Sequence, residues 1–266
     1  MANVIAIINQ KGGVGKTTSA INIGYYATKN HGMRTLLIDF DPQGNASSGL
    51  DINRETLKSD DNPNGTVTVL DVISGEVTLA DAIRPTKFKG LDIVPSTPQL
   101  ADAEAGLATT ERRFNRLSDA VRTVADRYDL IIIDSPPSLS LLTVNVLAAA
   151  DQVLLPVQAE FYALEGLTQL LETMKAVRQS LNPTIELLGV LVTMYDARTA
   201  LSQQVYEEVA KHFPGKTLET KIPRNVRLAE APSHGLPVGA YDRFSKGARA
   251  YKAATAEIVK RLGWEK

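Results

Sequence analysis

No cysteine occurs anywhere in the chain. That absence excludes disulfides, thiolate metal sites and any iron–sulfur cluster held by cysteine. Histidine is nearly as scarce. His31, His212 and His234 lie far apart and offer no metal-ligand spacing, and His234, in a Pro-Ser-His-Gly stretch, reads as a turn residue. No apolar run approaches the roughly 18 residues that a membrane span needs. A strand pattern begins within four residues of the start, which leaves no room for a signal peptide, so the expected location is cytoplasmic. There is also no internal repeat, low-complexity tract or convincing linker, and the 266 residues read as a single domain over 1–266. Net charge is almost nil at −1, but it is uneven. Residues 198–266 hold 13 Lys and Arg against 7 Asp and Glu, whereas residues 1–197 are acidic on balance. That asymmetry points to a basic face in the last third of the chain, suited to a polyanion.

The most informative segment present is Lys11, Gly12, Gly13, Val14, Gly15, Lys16, Thr17 and Thr18. An apolar run at 4–8 precedes it and a helical pattern at 16–29 follows, which is the strand–turn–helix context of a phosphate-binding loop. Glycines let backbone N–H groups close around phosphate oxygens, and the helix N-terminus adds partial positive charge. Lys16 is expected to reach the β- and γ-phosphates, and the Thr17 hydroxyl to ligate Mg²⁺. The chain is therefore expected to bind a nucleoside triphosphate. Lys11, a second lysine at the mouth of the loop, needs a separate reason.

Apolar β-formers alternate with helical patterns along the chain, which predicts an α/β fold: a mostly parallel central sheet with helices on both faces. Strands are expected at 34–38, 91–94, 130–134, 152–157 and 187–193. Helices are expected at 69–73, 99–127, 141–150, 163–180, 202–212 and 246–262. Residues 51–66 read as a polar loop. Asp134 closes an apolar strand and Asp41 lies just past the end of another, so both fall at the strand edge where open α/β sheets bind ligands. Asp134 is expected to hold Mg²⁺ through its water shell. Asp41 is placed to orient the attacking water or to respond to the γ-phosphate.

The loop with two lysines resembles the deviant Walker A ATPases, the ParA/MinD superfamily of P-loop NTPases. The likeness to the small chromosomal ParA type, also called Soj, extends to residues 39–45 (DFDPQGN), 134–138 (DSPPS), 160–167 (EFYALEGL), 192–199 (VTMYDART) and 222–237 (IPRNVRLAEAPSHGLP). The nitrogenase iron protein shares the loop but needs the cysteines this chain lacks. The resemblance implies an ATPase using ATP and Mg²⁺, with Lys11 reaching across a dimer interface to the partner's nucleotide. It implies that Asp41 is the hydrolytic residue, that Asp39 supports the water shell of the metal, and that Asp196, Pro223 and Arg224 lie near the adenine. It further implies an ATP-bound homodimer that coats double-stranded DNA without sequence preference, through Arg198 and Arg227 with Arg224 nearby. A ParB-type centromere-binding partner would stimulate hydrolysis and release the dimer, leaving the protein nucleoid-associated only while ATP is bound. No helix-turn-helix precedes the first strand, so only the small-type reading survives.

Two alternatives stay open. A MinD-like membrane-cycling ATPase would need a terminal amphipathic helix, and residues 251–266 mix Ile258, Val259, Leu262 and Trp264 with Lys252, Lys260 and Arg261. Ala253, Ala254 and Ala256 fit better a helix packed on the domain. A ParA-like ATPase that positions a plasmid or a protein cargo would carry the same chemistry.

Overall fold

The computed structural model describes residues 2–59, 61–161 and 167–264. Seven strands form one sheet: β1 (Asn3–Ile7), β2 (Thr35–Asp39), β3 (Arg84–Pro85), β4 (Leu91–Val94), β5 (Leu130–Asp134), β6 (Gln152–Gln158) and β7 (Glu186–Thr193), in the order β3-β4-β2-β5-β1-β6-β7. All neighbours run parallel except the two-residue β3, which pairs antiparallel with β4 at the edge. Pro85 sits in that edge strand, where its missing N–H costs no ladder bond.

Side chains alternate across the sheet, and each set meets its own layer of helices. Val4, Ala6, Ile38, Ile131, Ile133, Val153 and Val190 pack with helices Arg116–Arg122, Leu141–Ala149 and Leu167–Ser180. Ile5, Ile7, Leu37, Ile132, Leu154 and Leu191 pack with helices Lys16–His31 and Lys246–Arg261. Because both faces are covered, the central strands are apolar throughout, which is why they stood out in the sequence. Among the described residues, no helix is long and apolar enough to cross a membrane.

The uninterrupted helix expected at 99–127 does not form. A 3-10 turn at Pro98–Ala101 and a short helix Ala103–Leu107 are followed by turns, and helix starts again only at Arg116–Arg122. The break has a local cause and a remote one. After Gly106, the Thr109 and Thr110 hydroxyls bond back to the Gly106 and Leu107 carbonyls at 3.2 and 2.9 Å, and Arg112 adopts a left-handed φ of 59°. From a separate helix, Asn145 accepts from the Leu117 N–H at 3.3 Å and donates to the Arg113 carbonyl at 2.7 Å. The helix expected at 163–180 is described from Leu167 onward, its first four residues lying outside the described residues. The loop at 51–66 contains one 3-10 turn, Arg54–Thr56.

Candidate functional site

Three adjacent strands, β2, β5 and β1, end at the same level, with Asp39 opposite Asp134 and Asp134 opposite Ile7. The phosphate loop leaves β1, Asp134 ends β5, and Asp41 follows β2. The two carboxylates and the loop, far apart in sequence, therefore share one sheet edge.

The loop is pinned at both ends. The Asn9 side chain donates to the Pro156 carbonyl at 2.7 Å and accepts from the Lys11 N–H at 3.0 Å. Further along, the Thr193 hydroxyl donates to the Val14 carbonyl at 2.8 Å. Gly13 and Gly15 hold φ of 74° and 90°, a region side chains rarely adopt, and a Cβ at Gly12 or Gly13 would meet nothing within 4 Å. No side chain caps the helix that begins at Lys16, so its first N–H groups face the loop's cavity. That cavity, about 340 Å³, is lined by Gly12, Lys16, Thr17, Asp41, Gln43 and Pro137 among others.

Lys16 is buried, and its ammonium turns back to the Lys11 carbonyl at 3.4 Å. Burial pulls its pKa down, an effect opposed by the charges of Asp134 and Asp41. Asp39 and Asp134 are both fully buried, and they differ in their partners. One Asp39 oxygen accepts from the N–H and hydroxyl of Ser47, both at 2.7 Å, and the other from the Asp41 N–H at 3.3 Å. Among the described residues, neither Asp134 oxygen has a well-formed hydrogen bond, although the Thr17 hydroxyl lies close enough to ease its charge. Burial pushes both carboxyls up, Asp39 to about 6 and Asp134 well above the usual range, and Asp134 is raised further by the neighbouring Asp39. Asp41 is buried, accepts from the Gln43 N–H at 2.9 Å, and is raised by burial against the opposing pull of that N–H and Lys16.

A second cavity of about 230 Å³ adjoins the first, and the two share Gly15, Thr18 and Met194 as a wall. Its lining is mainly apolar, with Ile222, Pro223, Leu228 and Tyr251, and its size and position suit a base attached to phosphates in the loop. Pro223 and Arg224 line it; Asp196 does not, being tied instead to Arg198.

Lys11 pairs with Glu160 at 3.1 Å, and Arg224 approaches the same carboxylate at 3.9 Å. Arg198 holds Asp196 in a bidentate pair at 2.9 and 2.7 Å, which keeps that carboxyl well below its ordinary range. Arg227 pairs with Glu230 at 2.7 Å and Asp242 at 3.4 Å. In contrast, Arg243, Lys246, Arg249 and Lys252 form no ion pair among the described residues, and all four are exposed. The last three share the outer face of helix Lys246–Arg261, whose Tyr251, Ala254, Ile258 and Val259 are buried against the domain.

A family model described as an AAA domain matches residues 2–187. The sporulation initiation inhibitor protein Soj of Bacillus subtilis (strain 168) is 49% identical over 259 residues, covering 97% of this chain and 99% of its own. Chromosome partitioning protein ParA of Myxococcus xanthus (strain DK1622) is 47% identical over 98% of this chain and 89% of its own. The chain belongs to the Soj/ParA family of chromosome-partitioning ATPases. Among solved structures, cobyrinic acid a,c-diamide synthase from Mycobacterium smegmatis with bound ATP analog and magnesium has a TM-score of 0.86 at 36% identity, covering 98% of this chain and 96% of its own. MinD complexed with Mg-ADP from Pyrococcus horikoshii OT3 has a TM-score of 0.77 at 24% identity, covering 99% and 98%, a likeness of fold. The sheet and its helical layers are those of the P-loop ParA/MinD fold.

Several residues of the site carry no signal of their own in the sequence. Met194, with a left-handed φ of 52°, forms the shared wall of the two cavities. Tyr251 reaches the base-side cavity from the last long helix and bonds the Ser19 hydroxyl at 3.0 Å. Glu160 could have been found only by asking what neutralises the extra lysine.

Proposed function

We propose that the protein is a Mg²⁺-dependent ATPase whose ATP-bound homodimer binds DNA without sequence preference. In this reading, a ParB-type partner triggers hydrolysis and releases the dimer from the nucleoid. The observation that carries the enzymatic part is the buried, unpartnered carboxylate of Asp134 beside Thr17, at the mouth of a loop whose glycines leave room for phosphates. A fully buried carboxylate with no closer donor than the Thr17 hydroxyl is costly unless it serves a cation, so the residues present fit a metal. Thr17 and Asp134 would hold Mg²⁺, with Asp39 behind them, fixed by Ser47. When bound, the ion neutralises charge on the β- and γ-phosphate oxygens.

The chain's own groups account for the remaining steps. Lys16 and the loop N–H groups bind the phosphates, and the apolar cavity along Pro223 and Tyr251 takes the base. Asp41, raised by burial, orients the attacking water and accepts its proton. Lys11 leaves Glu160 to reach the nucleotide of a second copy, so ATP joins the two subunits. The basic outer face of the last long helix, together with Arg198, Arg224 and Arg227, supplies phosphate contacts that position without specifying sequence. The apolar side of that helix is already spent on the domain, which favours DNA over a membrane surface.

The test is ATP turnover together with light scattering in ATP, ADP or no nucleotide. Turnover with an ATP-dependent dimer supports the proposal. A monomer in every state, without turnover in the presence of DNA, would remove it, and binding to anionic liposomes instead of DNA would replace the polyanion with a membrane.

A further inference from the structure

Asp41 is held by a short turn that closes on itself. Its carboxylate accepts from the Gln43 N–H at 2.9 Å, and its carbonyl accepts from the Gly44 N–H at 2.9 Å. The other end of Gln43 is held from outside the turn, since its carbonyl accepts from the Arg54 guanidinium. Gly44, with φ of 61°, lies between that guanidinium and the Ser96 backbone. A Cβ there would come within 3.2 Å of Arg54 Nη2 and 3.1 Å of the Ser96 carbonyl. Both ends of one residue, Gln43, are thus fixed, one by Asp41 and the other by Arg54.

The Arg54 side chain is exposed, while the backbone around it is held on both sides. Arg54 opens a 3-10 turn whose Asn53 side chain accepts from the Glu55 N–H at 3.0 Å. Ile52 donates to the Ser47 carbonyl at 3.0 Å, and Leu57 is buried at the far end. Arg34, Arg112, Arg198, Arg227 and Arg261 each hold a carboxylate, whereas Arg54 holds none among the described residues. Its donors are directed at a backbone carbonyl on the rim of the phosphate cavity, which Gln43 and Asn45 line. Arg54 meets this turn at the Gln43 carbonyl, whereas the Asp41 carboxylate is held by the Gln43 N–H.

We propose that Arg54 is a positioning residue for hydrolysis: by fixing the Gln43 carbonyl it fixes the Gln43–Gly44 peptide, whose Gly44 N–H holds the Asp41 carbonyl and so closes the turn in which the Gln43 N–H holds the Asp41 carboxylate at the phosphate cavity. This rests on the reading of Asp41 as the hydrolytic residue. A displacement of about 1 Å at a reacting group can cost on the order of 100-fold in rate, so loss of the clamp has room for a large effect.

The experiment is steady-state ATPase kinetics of the full chain with Arg54→Met, which keeps the aliphatic stem and removes the donors, and Arg54→Lys, which keeps a donor. Affinity for a fluorescent ADP analogue is measured alongside. The expected result for Arg54→Met is a kcat lower by about tenfold, within the loss that small misplacements bring. KM and ADP affinity should stay within about twofold, the position of the pH profile should not move, and Arg54→Lys should recover part of kcat. Wild-type kcat in Arg54→Met overturns the proposal. So does failure of that variant to fold, a parallel loss of ADP affinity, or an Arg54→Lys variant no better than Met, because each makes the arginine scaffold or bystander. Asp41→Ala run alongside separates the two readings: if it turns over ATP normally, the Asp41 reading has fallen, whereas loss of turnover there with wild-type kcat in Arg54→Met removes only the role of Arg54.

Discussion

Asp39 and Asp134 are direct neighbours across β2 and β5, both fully buried, and Asp39 is the one that the Ser47 N–H, the Ser47 hydroxyl and the Asp41 N–H serve. Two carboxyls at the spacing of adjacent parallel strands, about 5 Å, cannot both ionise cheaply away from water. Both are raised above their unfolded values, Asp39 to about 6. A carboxyl with a raised folded pKa stabilises the fold fully below its unfolded pKa, and that contribution is lost as pH rises through the folded pKa. The nucleotide-free protein should therefore lose stability between about pH 4 and pH 7. The loss from Asp39 is on the order of 2–3 kcal/mol, or a fall in Tm of roughly 5–10 °C. Scanning calorimetry across that range checks it. Asp134→Asn should flatten the profile and at the same time remove the stabilisation that Mg²⁺ with ADP gives. A profile unchanged by that substitution would mean the pair is not coupled.

Lys16 is buried near Asp41 and Asp134, and its ammonium donates to the Lys11 carbonyl at 3.4 Å. Bound phosphates would give it stronger, charge-assisted partners. Lys16→Ala should weaken binding of a fluorescent ATP analogue by about 100-fold or more while leaving the circular dichroism spectrum unchanged, since charge-assisted contacts to phosphate carry most of the affinity. Retention of affinity within a few-fold would place the phosphates elsewhere.

The Asp41 carboxylate accepts within its own turn, and the Asp41 backbone N–H that Asp39 accepts survives substitution, so removal of the side chain should spare binding. Asp41→Ala should lower kcat by about 100-fold or more, the usual weight of a positioned general base, and leave an ATP-dependent dimer that stays on DNA. Normal turnover in that variant would strip Asp41 of its role.

Legibility in the sequence followed the range of the interactions. The phosphate loop and its helix are written in consecutive residues, and Gly13, Gly15 and Lys16 stand where local chemistry puts them. The strands were readable because burial on both faces makes them apolar throughout, and their ends located Asp41 and Asp134 without further information. The helix expected at 99–127 failed because part of what breaks it, the Asn145 side chain, arrives from another helix. Met194 and Tyr251 escaped for the same reason: tertiary packing alone brings them to the base-side cavity. Arg198 and Arg227 were placed by resemblance, although the carboxylates that occupy them, Asp196 and Glu230, lie only two and three residues away in the sequence.

Those pairings set up a comparison between two groups of cations. Exposed ion pairs are screened by water and individually weak, so DNA phosphates can compete for Arg198 and Arg227, but only by displacing Asp196, Glu230 and Asp242. Among the described residues, Lys246, Arg249 and Lys252 have no such competitor. Neutralising the latter three together should therefore weaken ATP-dependent binding to duplex DNA more than neutralising Arg198 and Arg227. For every phosphate left without its cation, the dependence of log affinity on log salt should become shallower by about 0.9, with every substitution counted twice in a dimer. ATP-dependent dimerisation should persist in both variants. Fluorescence anisotropy with a labelled duplex, in ATP and in ADP over a salt series, measures the slope directly. An unchanged slope in the Lys246, Arg249 and Lys252 variant would show that the last long helix faces away from the DNA. Loss of dimerisation along with binding would put that helix at the subunit interface instead.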